Sequence, residues 1–230
     1  MMQRSWTGFA TGALFAVLTS GCGDFPGEGA KAGELGNGSF AFACDDSLPC
    51  SKFRPERTSE FPNQVASGAT FKVSFTPTKG RPGITLSSVG SSFFASKGAS
   101  QFAAIRPGRG TIVARDNAGA VVDFTYIDIV VPDAIAVYDD ETASTSSNPT
   151  TVSDLSVTVN RGRSVRAVAR KNNEILAGQL AYEWQSASAE ILTVDSVNGL
   201  KATLLGKQKG STILTVSGGS HQQRITVNVQ

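Results

Sequence analysis

Few side chains in this sequence could take part in acid–base, nucleophilic or metal chemistry. The one histidine, His221, lies in the polar run of residues 218–223, which is typical of a hairpin turn. A catalytic triad needs a histidine beside a nucleophile, and none of the serines lies in a Gly-x-Ser-x-Gly motif. The sequence therefore predicts no catalytic residues, no cofactor and no enzymatic activity.

The three cysteines are the residues best suited to covalent chemistry. If Cys22 is modified, Cys44 and Cys50 are the only pair that can form an intramolecular disulfide, and export from the cell permits one. The alternative is a metal site that adds Asp45 and Asp46 to these two cysteines. It lacks the further Cys or His ligands of a zinc site, so we expect a disulfide and no metal.

Residues 1–21 have the organisation of a signal peptide. Arg4 supplies a basic start, and residues 6–18 are mostly apolar or small. This stretch is shorter than the roughly 20 residues that a membrane-spanning helix needs, and it is typical of a cleaved export signal. The small residues before Cys22 resemble the lipobox of bacterial lipoproteins. In this chain Leu18 lies one position further from the cysteine than usual, and Thr19 takes its place.

The lipobox resemblance implies cleavage before Cys22 and lipidation of this cysteine. Diacyl modification with N-acylation supplies more than one chain, and stable anchoring takes two signals. Gly23 follows the cysteine, which by resemblance to lipoprotein sorting in Gram-negative bacteria implies the outer membrane, on its surface or periplasmic face. The alternative is an ordinary secretory signal that leaves Cys22 as a free thiol.

Asp139, Asp140 and Glu141 form the densest acidic cluster. Calcium takes about six to eight oxygen ligands, and consecutive side chains of an extended segment point in alternate directions. The three carboxylates therefore cannot converge without other ligands. Two interpretations stay open at this point, a calcium site between two domains and a charged loop that protects a sheet edge.

Basic residues are concentrated in one further segment. The group could contact an acidic glycan or a lipid phosphate, or it could form a solvated face. The net charge is only +2 and 17% of residues are charged, without a basic stripe, which argues against a nucleic-acid partner. The members of this group are Arg161, Arg163, Arg166, Arg170 and Lys171.

Exposed aromatic side chains could stack on sugars, and few are candidates here. Trp184 could do so, but its place in a predicted strand favours a role as a core anchor. Tyr138, Tyr182 and the pair Phe93 and Phe94 are the aromatic residues outside strong core positions. They define a second hypothesis, in which the protein binds carbohydrate.

The elements that must position these residues are short β-strands. From about residue 58 the sequence is a succession of short apolar runs bounded by Gly and Pro, and no window keeps a helical period over three turns. We predict an all-β fold with two tandem immunoglobulin-like sandwiches. The expected division is a signal peptide (1–21), a glycine-rich flexible tether (22–38), a first sandwich (39–131) and a second (132–230).

The two predicted sandwiches are similar to each other in sequence. Residues 65–73 parallel residues 159–167, with Gly68 aligned to Gly162. Residues 105–112 parallel residues 205–213, with Gly110 aligned to Gly210. The period is about 100 residues, the size of an immunoglobulin-type domain.

Residues 133–230 resemble the bacterial Ig-like domains of group 2, which occur in surface proteins and intimin-type adhesins. The first sandwich resembles them more loosely, with Phe93-Phe94 near the place of the Trp-Ser segment. The resemblance implies the fold and a role as spacer or adhesion module, and it implies no catalytic residues. The matching residues are Val159-Asn-Arg-Gly162, Trp184-Gln-Ser186-Ala-Ser188, Val194-Asp195, Gly199-Leu200 and Lys209-Gly210-Ser-Thr-Ile213.

These observations lead to one main hypothesis and one alternative. The first is a non-enzymatic, lipid-anchored protein of the cell envelope that acts in adhesion, in binding or as a structural spacer. The alternative is an envelope lipoprotein that binds carbohydrate. The expected partners are a membrane, through the lipid anchor, and a cell-surface glycan or protein.

Overall fold

The computed structural model describes residues 30–43, 61–80, 83–90, 92–140 and 150–230. The elements are β-strands, and they divide into two units that share no sheet. Within the described ranges, no helix has the length and apolar character needed to cross a membrane. The first unit contains β1 (Ala30–Ala32), β2 (Gly38–Ala43), β3 (Gln64–Ala66), β4 (Thr70–Pro77), β5 (Thr85–Val89), β6 (Phe94–Ser96), β7 (Gln101–Ala104), β8 (Gly108–Arg115) and β9 (Val121–Val130). The second contains β10 (Ala134–Asp139), β11 (Asp154–Val157), β12 (Gly162–Lys171), β13 (Glu174–Ile175), β14 (Glu183–Ser186), β15 (Leu192–Asn198), β16 (Lys201–Gly206), β17 (Gly210–Gly218) and β18 (His221–Val229).

Each unit has the strand order of an immunoglobulin-like sandwich. The sheets of the first unit have the orders β1-β2-β4-β7-β6 and β3-β9-β8-β5. Those of the second have the orders β10-β12-β16-β15 and β11-β18-β17-β14, with β13 attached to β12. In both units a short strand pairs in parallel with the last strand, β3 with β9 and β11 with β18. In each unit one sheet contains the strands A-B-E-D and the other the strands A′-G-F-C. In the first unit β1 is an additional strand beside β2, which is strand A. The predicted all-β immunoglobulin-like fold is therefore confirmed.

The two cores differ in the side chains that fill them. In the first unit the core is aromatic: the ring centroid of Phe71 lies 5.6 Å from that of Phe94 and 6.0 Å from that of Phe102. In the second unit the corresponding space is filled by aliphatic side chains such as Leu192 and Leu204, both fully buried. Alternation of buried and exposed residues along the strands places each set inside its sandwich.

The ordered body begins earlier than the sequence predicted. Residues 30–38 were assigned to the flexible tether (22–38), yet Ala30–Ala32 form β1 and pair with β2. Composition misled the prediction, because glycines typical of a linker here form the turn that joins two paired strands. Residues 22–29 of the predicted tether, and the signal peptide (1–21), lie outside the described residues.

A buried carboxylate holds this turn against the first unit. Asp123 is fully buried, and its Oδ1 accepts a hydrogen bond from the backbone N–H of Leu35 at 2.8 Å. Its Oδ2 accepts one from the N–H of Asn37 at 2.7 Å. A Cβ on Gly33 would lie only 2.1 Å from the carboxyl carbon of Asp123, so the close approach requires glycine. We call this arrangement the Asp123 clasp.

The internal repeat is present in the structure, but its alignment is shifted by two residues from the one predicted from the sequence. In the first unit the N–H of Gly68 donates to the carbonyl of Ala104 at 2.7 Å. In the second unit the equivalent bond runs from Asn160 to Gly206 at 2.8 Å. Gly68 therefore corresponds to Asn160, and the alignment of Gly68 with Gly162 is wrong.

The same shift applies between the later strands, β8 and β17. Gly108 pairs with Ile129 near the end of β9, and Gly210 pairs with Val229 near the end of β18. Gly210 therefore corresponds to Gly108, and its alignment with Gly110 is also wrong. Both glycines lie at the start of their strands with positive φ, 132° and 156°.

The position expected for Phe93-Phe94 is also corrected. Phe94 pairs with Ala104, and Leu192 pairs with Gly206, so these two residues correspond to each other. Phe93-Phe94 therefore corresponds to Ile191-Leu192 and does not take the place of the Trp184 segment. By ladder register, the residue at the Trp184 position is Leu86 on β5.

Candidate functional site

The predicted covalent sites lie outside the described residues. This applies to Cys22, for which lipidation is expected, and to Cys44 and Cys50, for which a disulfide is expected. Glu141 of the acidic cluster also lies outside them. These assignments stay predictions.

The single histidine lies directly after the hairpin turn that its sequence context indicated. His221 is the first residue of β18 and pairs with Gly218, the last residue of β17. A two-residue turn joins them, with Gly219 at φ +58°. Among the described residues, no group of three or more His, Cys, Asp or Glu side chains could hold a metal ion.

The structure buries most of the aromatic side chains that were candidates for sugar stacking. Tyr138, Tyr182 and Phe94 are 4%, 7% and 1% exposed, and burial raises the pKa of both tyrosines. Phe93 is half-buried and packs against the first core. Trp184 is also half-buried and packs against the second core, as its strand position predicted.

Two residues of the acidic cluster, Asp139 and Asp140, pair with two arginines of the basic group on β12 and with Lys201 on β16. Arg163 Nη2 lies 2.7 Å from Asp139 Oδ2. Arg166 Nη2 lies 2.5 Å from Asp140 Oδ1, and Lys201 Nζ lies 2.6 Å from Asp140 Oδ2. The antiparallel register of β10 against β12 places Asp139 opposite Val165, between the two arginines in sequence. Arg163, Arg166 and Lys201 therefore compensate the charges of Asp139 and Asp140. The other members of the basic group lie elsewhere: Arg170 donates to the carbonyl of Asn173, Lys171 lies 3.9 Å from Asp133, and Arg161 is exposed.

Two members of this charge cluster, Asp139 and Arg166, lie in the interior of the second sandwich. Asp139 and Arg166 are 3% and 4% exposed. Burial lowers the pKa of Arg166, and the neighbouring Asp140 opposes that change by favouring the charged form. A buried cation with an opposite charge at 2.5 Å is a structural pair, and it presents little surface to a ligand.

The Asp139–Arg163 ion pair takes the place of an aromatic stack in the first unit. Phe42 lies opposite Val73 on β4, as Asp139 lies opposite Val165 on β12. The ring centroid of Phe42 lies 5.1 Å from that of Phe71, with nearly parallel planes. Phe71 and Arg163 each precede the paired valine by two residues. The two copies therefore fill one position by different chemistry.

The two units also contact each other directly, at a place that we call the junction. After β13, the chain of the second unit runs beside β3 and the start of β4 of the first. The N–H of Thr70 donates to the carbonyl of Gln179 at 2.9 Å, and the N–H of Gln179 donates to the carbonyl of Thr70 at 2.8 Å. The N–H of Ala66 donates to the carbonyl of Ala177 at 3.0 Å.

Apolar packing closes the junction around these hydrogen bonds. Ala66 and Ala69 of the first unit pack in the core cluster of the second, and Ala177 of the second packs in that of the first. Gly178 has φ +92°, and a Cβ there would lie 2.7 Å from the Cβ of Ala69. The two backbones can approach this closely only because residue 178 has no side chain.

An exposed aromatic side chain that sequence analysis missed lies on the outer surface of β8 and β9. Tyr126 is 40% exposed, and its ring centroid lies 5.4 Å from that of Phe124. Arg109 pairs with Asp128 through two bonds, Nε to Oδ1 at 2.7 Å and Nη2 to Oδ2 at 2.9 Å. The Arg109 Cζ lies 5.9 Å from the Tyr126 ring centroid. We call these four side chains the Tyr126 face.

Arg109 and Asp128 each shift the pKa of the other in the direction that favours its charged form. The hydrogen bond from Arg109, helped by its charge, lowers the pKa of Asp128 despite partial burial. The hydrogen bond to Asp128 raises the pKa of Arg109 in turn. The register of β8 against β9 brings these residues together, with Arg109 opposite Asp128.

Comparison with known proteins gives similarities of fold alone. No protein-family model matches the chain, and no curated protein matches it. Domains 4 and 5 of the S-layer protein SbsC are 18% identical with a TM-score of 0.33, over 64% of this chain and 75% of that chain. The Yersinia pseudotuberculosis adhesin InvE is 11% identical with a TM-score of 0.34, over 74% and 57%.

The D00-D0 domain of intimin is 15% identical with a TM-score of 0.28, over 73% of this chain and 93% of that chain. The chain spans 23% of the longer SbsC structure of residues 31–844. At these identities and TM-scores the similarities say nothing about function. The fold assignment depends on the strand order described above.

Proposed function

We propose that this chain is a non-enzymatic, lipid-anchored protein of the cell envelope. Its two immunoglobulin-like domains act together as an adhesion module or spacer. The observation that supports this proposal is the junction, in which Thr70 and Gln179 exchange backbone hydrogen bonds. Domains joined only by a linker move relative to each other by default, whereas this contact couples them.

The junction suits a protein whose task is to hold a surface at a fixed distance and orientation. Each unit contributes a segment to the other's core cluster, so the contact is apolar as well as hydrogen-bonded. A rigid pair transmits position from one end to the other, and binding can then use loops or an exposed sheet face.

The lipid anchor belongs to the same proposal and depends on the sequence alone. Cys22 carries the acyl chains, and the residues between it and Ala30 connect the membrane to the folded body. The Asp123 clasp fixes the chain soon after this connection, at Leu35 and Asn37. Tension on the anchor would therefore reach the first sandwich through β1 and the clasp.

Protease shaving of intact cells tests this proposal, with a Cys22→Ala variant as the control. We expect radiolabelled palmitate to enter the wild-type protein and not the variant. We also expect protease to release the wild-type body from intact cells. Equal membrane association of the two proteins would contradict the lipid anchor. Protection of the body until the outer membrane is broken would contradict a role in adhesion and leave a periplasmic spacer.

A further inference from the structure

The two units provide an internal comparison of the same sheet surface. On β9 the core-facing residues Thr125 and Ile127 are fully buried, so Phe124, Tyr126 and Asp128 point outward. The ladder registers place three residues of β18 at the equivalent outward positions. They are Arg224, Thr226 and Asn228.

The second unit, which has polar residues at these positions, shows that the fold does not require aromatic side chains on this surface. The β18 surface of the second unit is solvated, and the second sandwich forms with the same strand order. Thr226 occupies the position of Tyr126, and Ser211 on β17 occupies that of Arg109. Tyr126 belongs to neither core, and an aromatic ring that stays exposed on an outer sheet surface beside polar groups is suited to binding.

The geometry of the Tyr126 face holds the ring in a fixed position. Phe124 contacts it edge-to-face with an interplanar angle of 78°, and the Arg109 Cζ lies 5.9 Å from its ring centroid. Tyr126 still exposes 40% of its surface. A ring that is held before a ligand arrives loses little conformational freedom on binding, which favours affinity.

The polar part of the face selects the chemistry of its ligand. Arg109 and Asp128 hold each other through two parallel hydrogen bonds, so both are oriented and together they carry no net charge. The remaining guanidinium N–H groups can donate, and the carboxylate lone pairs can accept. Neighbouring hydroxyl groups of a ligand satisfy both at once, whereas a charged ligand would meet an equal opposing charge.

We propose that the Tyr126 face binds a neutral glycan. A sugar ring packs its C–H surface on Tyr126, and its hydroxyl groups bond with Arg109 and Asp128. The equivalent surface of the second unit, with Thr226 and Asn228, does not bind. This site goes beyond the proposed adhesion or spacer role, and it is measured on purified protein, so it succeeds or fails independently of the anchor.

Frontal affinity chromatography of the full-length protein tests this site. Galactomannan and xyloglucan columns represent plant glycans, a dextran column represents a bacterial one, and alginate and hyaluronate columns represent charged glycans. We expect retention on at least one neutral column. Tyr126→Thr, which copies the second unit, should weaken retention at least about tenfold. Thr226→Ala, at the equivalent position, should leave retention unchanged.

A second variant distinguishes loss of binding from loss of folding. Asp128→Asn copies Asn228 and keeps the size of the side chain, and we expect it to weaken retention as well. Retention on none of the neutral columns, stronger retention on the charged columns, or unchanged retention of both variants would overturn the proposal. A Tyr126-dependent dimer in sedimentation would also overturn it, since a second copy would then be the occupant of this face.

Discussion

A single pair of positions shows how two copies of one fold can use different side-chain chemistry. Phe42 and Phe71 stack in the first unit, and Asp139 and Arg163 form an ion pair at the equivalent place in the second. The aromatic pair gains from burial of apolar surface, whereas the ion pair must offset the cost of removing two charges from water. Its two N–H···O contacts, at 3.3 and 2.7 Å, supply part of that compensation.

Removal of one side chain of the Asp139–Arg163 ion pair should lower the free energy of unfolding more than replacement of both side chains. We expect Arg163→Ala to lower the free energy of unfolding by about 3 kcal/mol, because the Asp139 carboxylate is nearly fully buried. The double variant Asp139→Phe/Arg163→Phe, which copies the first unit, should stay within about 1 kcal/mol of the wild type. Urea unfolding measures both values.

Arg161→Ala is the matched control for this prediction, since Arg161 is an exposed arginine two positions away. Its effect should be within about 0.5 kcal/mol of zero. If Arg163→Ala destabilises no more than Arg161→Ala, the ion pair contributes nothing to the stability of the second sandwich. Sequence analysis identified both charge clusters, but not their pairing, because the pairing depends on the register of β10 against β12.

At the scale of elements, the Asp123 clasp connects strand β1 to the body of the first unit. One carboxylate accepts backbone hydrogen bonds from Leu35, Asn37 and Phe124 at 2.7–2.8 Å. Two of these donors lie in the turn between β1 and β2. Hydrogen bonds to a charged group contribute about 1.5–3 kcal/mol each, so the clasp is a major local contribution to the order of β1.

Asp123→Ala should release this turn. We expect faster amide hydrogen exchange at residues 30–37, measured by mass spectrometry, and a lower stability of the first unit. Asp116→Ala is the control, since the Asp116 carboxylate also accepts two backbone N–H groups, those of Ala118 and Ala120, in another turn. Unchanged exchange at residues 30–37 in Asp123→Ala would show that strand pairing with β2 alone orders β1.

The elements themselves were largely predictable from sequence, and their registers were not. Short apolar runs bounded by turn residues located the strands, and alternation such as Phe71, Lys72, Val73 identified the buried face. The repeat alignment failed by two residues because Gly68 corresponds to Asn160, with φ +86° and +59°. Glycine and asparagine both tolerate this left-handed conformation. The two positions therefore share a backbone conformation although their residue types differ, and an alignment of glycine with glycine misses the correspondence.

Strand β1 was missed for a related reason. Its three residues, Ala30–Ala32, carry little hydrophobic signal, and the glycines that follow are typical of a linker. The strand forms because β2 offers an unpaired edge and Asp123 fixes the connecting turn. The second cause does not lie in the local sequence, since Asp123 is far along the chain.

At the scale of the whole molecule, the junction determines whether the two sandwiches act as one body. It depends on backbone contacts at Thr70 and Gln179 and on the absence of a side chain at Gly178. Sequence analysis placed a domain boundary near residue 131 but predicted no contact beyond the linker. The contact was unpredictable because backbone hydrogen bonds and a small residue leave no pattern that identifies their partner.

Gly178→Val should separate the two units while both sandwiches stay folded. A side chain at Gly178 would collide with Ala69, and φ +92° is unfavourable for a β-branched residue. Gly219→Ala is the control, because Gly219 also has positive φ, yet a Cβ there meets nothing within 4 Å. It should lower stability by about 1 kcal/mol without affecting the junction.

The most direct test of a coupled two-domain module is the measurement of backbone residual dipolar couplings in the wild-type protein. The account predicts that amides of residues 61–130 and of residues 150–229 fit one common alignment tensor, and that Gly178→Val gives two different tensors. Two independent tensors in the wild type would contradict it, because the domains would then move freely about their linker.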